Sequence, residues 1–455
     1  MEKQRIARIY LEEDNNCAET ILRAANEEYG LNLSDGDAKL IAAFGGGMGC
    51  GGTCGALAGA LAVLGRVAVE GRAHATEGFK ERCAALVARF ERELGSRDCA
   101  SLKARYFEEN GDRCLKTVLL AAQVLERYLL ENGLIEKKED AAVPPEEIKR
   151  VKGMGFLHNK GTGRFNARII TRNGRVTAHE MACVAHAAER FGDGHVVMTT
   201  RLTLEVTGVP YGQIDAFRAF VGEAGLETGG TGSKVRPVVS CKGTTCQYGL
   251  IDTYALSEKI HRRFYEGYRD VQLPHKFKIA VGGCPNNCVK PDLNDLGIVG
   301  ARVPLFDADR CRACGKCTLI DACPVGAAAR RGLADARAVI DTERCNSCGR
   351  CIGKCVFKLN DAARPGYRVL IGGRWGKAFA QGRALRHLFL SEEEVLLAVE
   401  SAILLFRDQG LTGERFADTV ARISFDEAER QILSGELLTR REEILGRRVV
   451  GGATC

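Results

Sequence analysis

The 455-residue chain has no apolar core in its opening MEKQRIARIYLEED, no unbroken hydrophobic run of membrane-spanning length, and no large excess of one charge. The first absence argues against secretion and against a disulfide-stapled scaffold. The most apolar stretch, Ile41 to Val69, is interrupted by glycines and Arg66, which argues against a spanning helix. The net charge of +7 is small for this length and is not gathered into the basic stripe of a nucleic-acid binder, though it suits a polyanionic cofactor or a small anionic substrate. What the chain does have is twenty cysteines. In a protein expected to be cytoplasmic they point to metal or redox chemistry. At roughly 150 residues per domain, two to four domains are expected.

The cysteines fall into constellations. Cys311, Cys314, Cys317 and Cys323-Pro324 are followed by Cys345, Cys348, Cys351 and Cys355, and the first three of each set repeat at an offset of 34 residues. This is the pattern of a two-cluster bacterial ferredoxin, in which thiolates on a tight loop each hold one iron and the fourth Cys of each run crosses to the other cluster. The expected ligand sets are Cys311, Cys314, Cys317 with Cys355, and Cys345, Cys348, Cys351 with Cys323. A pair of zinc knuckles is the plainer alternative. Upstream, SCKGTTCQYG and VGGCPNNCVKPD supply Cys241, Cys246, Cys284 and Cys288, two close pairs that suit either a structural zinc or a further iron–sulfur cluster.

Around those pairs the chain alternates as strands do. RFNARII places Arg164, Asn166 and Arg168 on one face, VVMTTRLTLEV does the same for Thr199, Arg201, Thr203 and Glu205, and HKFKIAV for Lys276 and Lys278. Such alternation fits an ordinary solvated sheet face as well as a cationic site. Asn173-Gly174 between extended runs predicts a hairpin turn, and Thr177 with Glu180 predicts a capping box. On the helix so begun, His179 and His186 read as surface or packing residues and Cys183 as a small apolar one.

The segment from about Lys152 to Gly300, with GFLHNKGTGRFNARIITRNG, TTRLTLEV, KVRPVVSCKGTTC and HKFKIAVGGCPNNC, resembles the sirohaem-dependent sulfite and nitrite reductases, in particular the small anaerobic type with an inserted ferredoxin. YRVLIGGRWGKAFAQGRALRHLF resembles the rest of that domain, which makes the ferredoxin an insertion. The resemblance implies a 4Fe-4S cluster on Cys241, Cys246, Cys284 and Cys288, with Cys288 also bridging to the sirohaem iron. Arg168, Arg201, Lys276 and Lys278 would bind sirohaem carboxylates and the substrate anion and supply protons, with Arg164 and Arg236 as further cofactor contacts. The implied fold class is α+β: an N-terminal helical domain over 1–140, a reductase domain over 150–302 and 360–446, and a two-cluster ferredoxin over 303–359. The implied cofactors are sirohaem and three 4Fe-4S clusters. The implied reaction is six-electron reduction of sulfite to sulfide, with nitrite to ammonium as the near alternative. No convincing flavin or nicotinamide site is present, so a soluble ferredoxin or partner reductase is the expected donor. Long assimilatory members carry the arginine-bearing half-domain twice and this chain carries it once, which implies a homodimer or even-numbered homo-oligomer. A reading from another class is a non-catalytic iron–sulfur electron-transfer or thiol-redox protein without sirohaem.

The N-terminal region poses its own question. In GGGMGCGGTCGALAGALAVLG, Gly47 to Gly52 fits the dinucleotide pattern G-x-G-x-x-G, yet the same loop holds Cys50 and Cys54. A dinucleotide fold needs further strands, but beyond Glu70 the apolar spacing is helical, over Thr76 to Leu94 and Cys114 to Leu129. The region resembles a family of putative redox-active proteins with a C, GCAxxG, C, C signature, matched at Cys17, TCGALAG with Cys54, Cys99 and Cys114. These four are the candidate redox thiols, or ligands of a further metal, or disulfide partners. Thr53 is expected to cap the helix, with Cys54 in its first turn where the dipole favours thiolate. Cys83 reads as packing, and Cys455 as a mobile terminal thiol.

Overall fold

The computed structural model describes residues 1, 3–109, 111–135 and 142–447, in two compact units, Met1–Ala141 and Ala142–Cys455. The expected boundary at residue 140, and Cys455, lie outside the described residues.

The first unit is helical: α1 (Cys17–Tyr29), α2 (Gly55–Ala68), α3 (Phe79–Leu94), α4 (Cys99–Tyr106) and α5 (Leu115–Glu131) surround one apolar core. α1 starts at a capping box made by Asn16 and Glu19, which satisfies donors that a helix start leaves open. α3 buries Leu86, Phe90 and Leu94, with Phe79, Cys83 and Val87 partly covered on the same stripe, so Cys83 is packing. LIAAF, which a dinucleotide fold would need as a strand, is instead a tight 3-10 turn over Ala42–Phe44, and this unit has no strand among its described residues.

The second unit is α+β. Strands β1 (Phe156–His158), β2 (Arg164–Ile169), β3 (Val196–Met198) and β4 (Leu204–Pro210) form an antiparallel sheet in the order β1-β2-β4-β3. Its apolar face meets the helices α6 (Ala178–Phe191) and α7 (Ile214–Glu223). β2 buries Phe165, Ala167 and Ile169 and turns Arg164, Asn166 and Arg168 the other way, as its period-2 sequence demands. The Thr177–Glu180 capping box starts α6, and His179 and His186 are exposed.

A second, mixed sheet is built from β5 (Val239–Ser240), β6 (Ile279–Gly282), β7 (Leu296–Pro304), β10 (Ala363–Ile371) and β11 (Arg383–Ala384), in the order β11-β10-β7-β6-β5. It lies on α8 (Glu392–Gln409), a helix buried along most of its length, and on α9 (Phe416–Ile423). β7 and β10 are antiparallel with Pro304 opposite Ala363, so residues 305–362 leave the sheet and rejoin it at one point. This excursion carries the small hairpin of β8 (Ala328–Arg330) and β9 (Ala338–Ile340) and its own small core. No helix among the described residues is long and apolar enough to cross a membrane.

One strand reading needs correcting. VVMTTRLTLEV is two strands, β3 and β4, paired at Met198 and Leu204. Thr199 and Thr203 close the turn between them through their hydroxyls, 2.7 Å apart, and Leu202 takes a left-handed φ of 58°. Arg201 is therefore presented from a turn tip rather than from a strand face.

Candidate functional site

Arg201 reaches from the β3–β4 turn to the second sheet, its guanidinium donating to Asn294 Oδ1 at 2.7 Å and to the Pro237 carbonyl at 2.9 Å. Burial, together with Arg236, Arg168 and Arg415 nearby, holds it down to about 10 against the opposing pull of Asp295. Lys278 precedes β6; burial first, then Arg201 and Arg415, bring its ammonium down to about 8. Lys276 is a charged neighbour of both Lys278 and His275, and His275 is pushed down to about 4 by burial and then by Lys276, Arg415, Arg236 and Arg374. Arg236 donates to the Gly230 carbonyl, and Arg168 donates to that carbonyl at 3.3 Å. Arg168 is also paired with Glu205, directly opposite on β4, at 2.7 Å. Arg164, four residues earlier on the same face, donates instead to the Gly208 carbonyl near the other end of β4, about 13 Å along the strand. The structure thus gathers Arg168, Arg201, Arg236, Lys276 and Lys278, and sets Arg164 apart.

Two members of this group carry no sequence signal. Asp295, fully buried, receives Arg415 Nη2 on both carboxylate oxygens at 2.8 Å each, and accepts a further bond from the Lys278 backbone N–H at 2.9 Å. Arg415 enters from the start of α9, 120 residues away in sequence.

The cysteine pairs lie at the other end of the same strands. β5 and β6 are parallel neighbours, so the loops that follow them emerge side by side, with Cys241 in one and Cys284 in the other. The Gly283 N–H donates to Cys241 Sγ at 3.1 Å, and Cys284 has Cys241, Cys288 and Cys246 as electrostatic neighbours. A Cβ on Gly283 would lie 2.8 Å from Gly243 Cα, so the loops approach only because neither glycine has a side chain. Gly283→Ala is expected to cost about 1–3 kcal/mol by overpacking and to lower any iron held by this group, as read by chemical denaturation and iron analysis. β6 and β7 are also parallel, so the chain after Gly282 must return along the sheet before β7 can start beside Ile279. That return carries Cys284 and exposed Cys288 at its beginning and Asn294 and Asp295, the partners of Arg201 and Arg415, at its end. Four thiols on two facing loops, joined by one strap to a cluster of cations, fit a cubane cluster beside a polycarboxylate cofactor.

In the excursion, Cys323, Cys345, Cys348 and Cys351 line one small cavity, and Cys311, Cys317 and Cys355, together with Cys323 and Cys351, pack on the local core of Leu319, Ala328, Ala338 and Leu359. Cys314 lies on the adjoining loop, where its carbonyl accepts from Arg330 at 2.7 Å. Backbone N–H groups are aimed at the sulfurs, Ala338 at Cys311 (3.3 Å) and Ala327 at Cys323 (3.2 Å). Burial pushes the Cys323 thiol up, but the N–H groups of Ala328, Val325, Ala327 and Gly326 outweigh it and bring it below its ordinary value, which favours the thiolate that iron needs.

In the first unit Cys17, Cys54, Cys99 and Cys114 all line one cavity of about 310 Å³. Cys50 does not; it is exposed, with its thiol on the Gly47 carbonyl at 3.3 Å. Two expectations about Cys54 are overturned. α2 begins at Gly55, so Cys54 is the N-cap residue and Thr53 does not cap; Thr53 forms a bridge with Asp98 instead. Burial then pushes the Cys54 thiol up to about 12, against the pull of the Ala56 and Leu57 N–H groups, so desolvation outweighs the helix dipole. Thiolate forms only as pH rises towards that value. In metal-free protein at pH 8, buried Cys54 should therefore be alkylated much more slowly than exposed Cys50, which timed iodoacetamide labelling with peptide mass analysis will measure.

Residues 231–439 match the Nitrite and sulphite reductase 4Fe-4S domain and residues 157–224 the Nitrite/Sulfite reductase ferredoxin-like half domain. The chain belongs to the nitrite and sulphite reductase family. The 4Fe-4S domain match implies an iron–sulfur cluster in this oxidoreductase. Residues 15–128 match the Putative redox-active protein (C_GCAxxG_C_C) family. An uncharacterized protein of Methanocaldococcus jannaschii is 32% identical over 269 residues, 59% of this chain and 90% of that protein. The Coenzyme F420-dependent sulfite reductase of the same organism is 27% identical over 275 residues, 60% of this chain and 42% of that enzyme. One component of the anaerobic sulfite reductase of Salmonella typhimurium is 31% identical over 195 residues, 40% of this chain and 55% of that component. The reductase-family chain thus spans about half the length of those two named relatives.

Proposed function

We propose that the chain is a sirohaem- and iron–sulfur-dependent reductase that converts sulfite to sulfide with six electrons. A soluble donor, a ferredoxin or partner reductase, would deliver them through two clusters in the excursion to the cluster on Cys241, Cys246, Cys284 and Cys288. The observation that carries this reading is the return strap, which starts at the cysteine group and ends on the residues that hold the buried cations. Sirohaem, when bound, would supply the iron centre at which the anion is reduced. Arg201, held by Asn294 and Pro237 rather than by a carboxylate, keeps its charge available to a ligand anion. Lys278, brought down to about 8, holds a proton on Nζ at neutral pH and can release it to a departing oxygen. Lys276 adds charge beside it. Arg168, already paired with Glu205, shapes the wall more than it neutralises charge.

Sulfite is preferred to nitrite because two of the relatives above are named as sulfite reductases. The test is anaerobic purification followed by absorption spectroscopy and product assay with a reduced donor. A sirohaem band with sulfide formed from sulfite is expected. Higher kcat/KM for nitrite, with ammonium as product, would move the assignment to nitrite. Clusters without sirohaem would replace it with a non-catalytic electron-transfer role. The single arginine-bearing half-domain also leads to the expectation of a homodimer or even-numbered oligomer; a fully active monomer by light scattering would contradict it.

A further inference from the structure

We infer that Cys17, Cys54, Cys99 and Cys114 hold an iron–sulfur cluster of their own in the N-terminal unit. The four thiols come from four separate elements and face one cavity of about 310 Å³. Each stands at the start of a helix: Cys17 and Cys99 are the first residues of α1 and α4, and Cys54 and Cys114 are the residues immediately before α2 and α5. Those helices are 13, 8, 14 and 17 residues long, so four positive dipole ends are directed at the space between the sulfurs. Lys103 adds formal charge to the lining, where Arg113 is paired with Asp14 at 3.0 Å. A core held by four thiolates is net negative, and this surrounding field is of the sign that stabilises it.

The sulfurs are also pre-assembled. Cys17 is an electrostatic neighbour of each of the other three. A Cβ on Gly55 would lie 2.6 Å from Cys17 Sγ, so the glycine after Cys54 is what lets that sulfur in. This is a physical reason for the CG pair in TCGALAG, and it makes the glycine-rich loop a thiol site rather than a phosphate cradle.

Size selects the occupant. A lone tetrahedral ion needs its sulfurs about 2.3 Å from one point, and among the described residues no three Cys, His, Asp or Glu side chains converge so tightly. Nor do three converge so tightly at Cys241, Cys246, Cys284 and Cys288, within the segment matched to a 4Fe-4S domain. Sulfurs lining a cavity, rather than meeting at a point, suit a polynuclear core with four cysteine ligands.

The test uses the full chain, purified anaerobically, with iron and acid-labile sulfide measured per chain. Cys17→Ser with Cys99→Ser should remove one cluster's complement, about two or four irons with as many sulfides, while any sirohaem absorbance is unchanged. Cys50→Ser and Cys83→Ser, outside the cavity, should remove none. Iron and sulfide equal to wild type in the double variant would overturn the inference, as would zinc in place of iron. A second measurement does not depend on the variant's folding: the unreduced wild-type chain, unfolded and digested, should show all four cysteines as free thiols. A disulfide or persulfide among them would overturn the cluster and assign the cavity to sulfur chemistry.

Discussion

Cys288→Ser is expected to abolish the proposed anion reduction while leaving any clusters of the excursion in place. Losing a partner outside a metal's ligand shell already costs about 10- to 100-fold, and Cys288 is proposed as a ligand itself, so the loss should exceed that. The structure supplies the reason for singling it out. Of the four thiols in its group, Cys288 is the exposed one, and it lies on the return strap between the cysteine loops and the cations, whereas Cys241, Cys246 and Cys284 are more enclosed. A serine oxygen is a harder donor than a thiolate and a poor substitute for iron. Steady-state turnover with optical and paramagnetic resonance spectra will check this. Undiminished turnover with wild-type spectra would remove Cys288 from the site.

Asp295→Ala should destabilise the second unit by about 3–5 kcal/mol, the cost of leaving one partner of a buried ion pair without the other. Asp295 is the buried carboxylate through which Arg415 is tied down, and Arg201 and Lys278 feel its charge as well. Without it, three cations face one another in a space with little water. The paired change Asp295→Leu with Arg415→Met should recover much of the loss, since both charges then disappear together. Denaturant titration measures both. A loss under about 1 kcal/mol for the single variant would mean that water, not Asp295, balances the cations.

Much of this is readable in the chain, and the failures have specific causes. The β2 alternation announces its faces because one side of that strand is packed and the other is not. The excursion's cysteine spacing groups Cys323 with Cys345, Cys348 and Cys351; the four line one small cavity, and Cys323 and Cys351 also pack on the core that Cys311, Cys317 and Cys355 touch. Arg201 is misplaced by a strand reading because its turn uses neither Gly nor Pro; two threonine hydroxyls and a left-handed leucine make it, and its residues alternate as a strand would. Asp295 and Arg415 are invisible because a pair 120 residues apart leaves no local pattern. For Cys54 the local rule, a dipole that favours thiolate, is correct in sign and smaller than the desolvation that only the packed unit reveals.

The pairing of Pro304 with Ala363 bears on how such a chain is assembled over evolutionary time. An insertion whose two ends already lie opposite each other in a ladder asks nothing of the host sheet, and the entropy of closing a longer loop grows only with the logarithm of its length. The ladder from Leu296 opposite Ile371 to Pro304 opposite Ala363 would keep its register if a short turn replaced everything between. A junction of that kind lets a whole segment be exchanged at the tip of one hairpin while the sheet that carries it keeps its ladder unaltered.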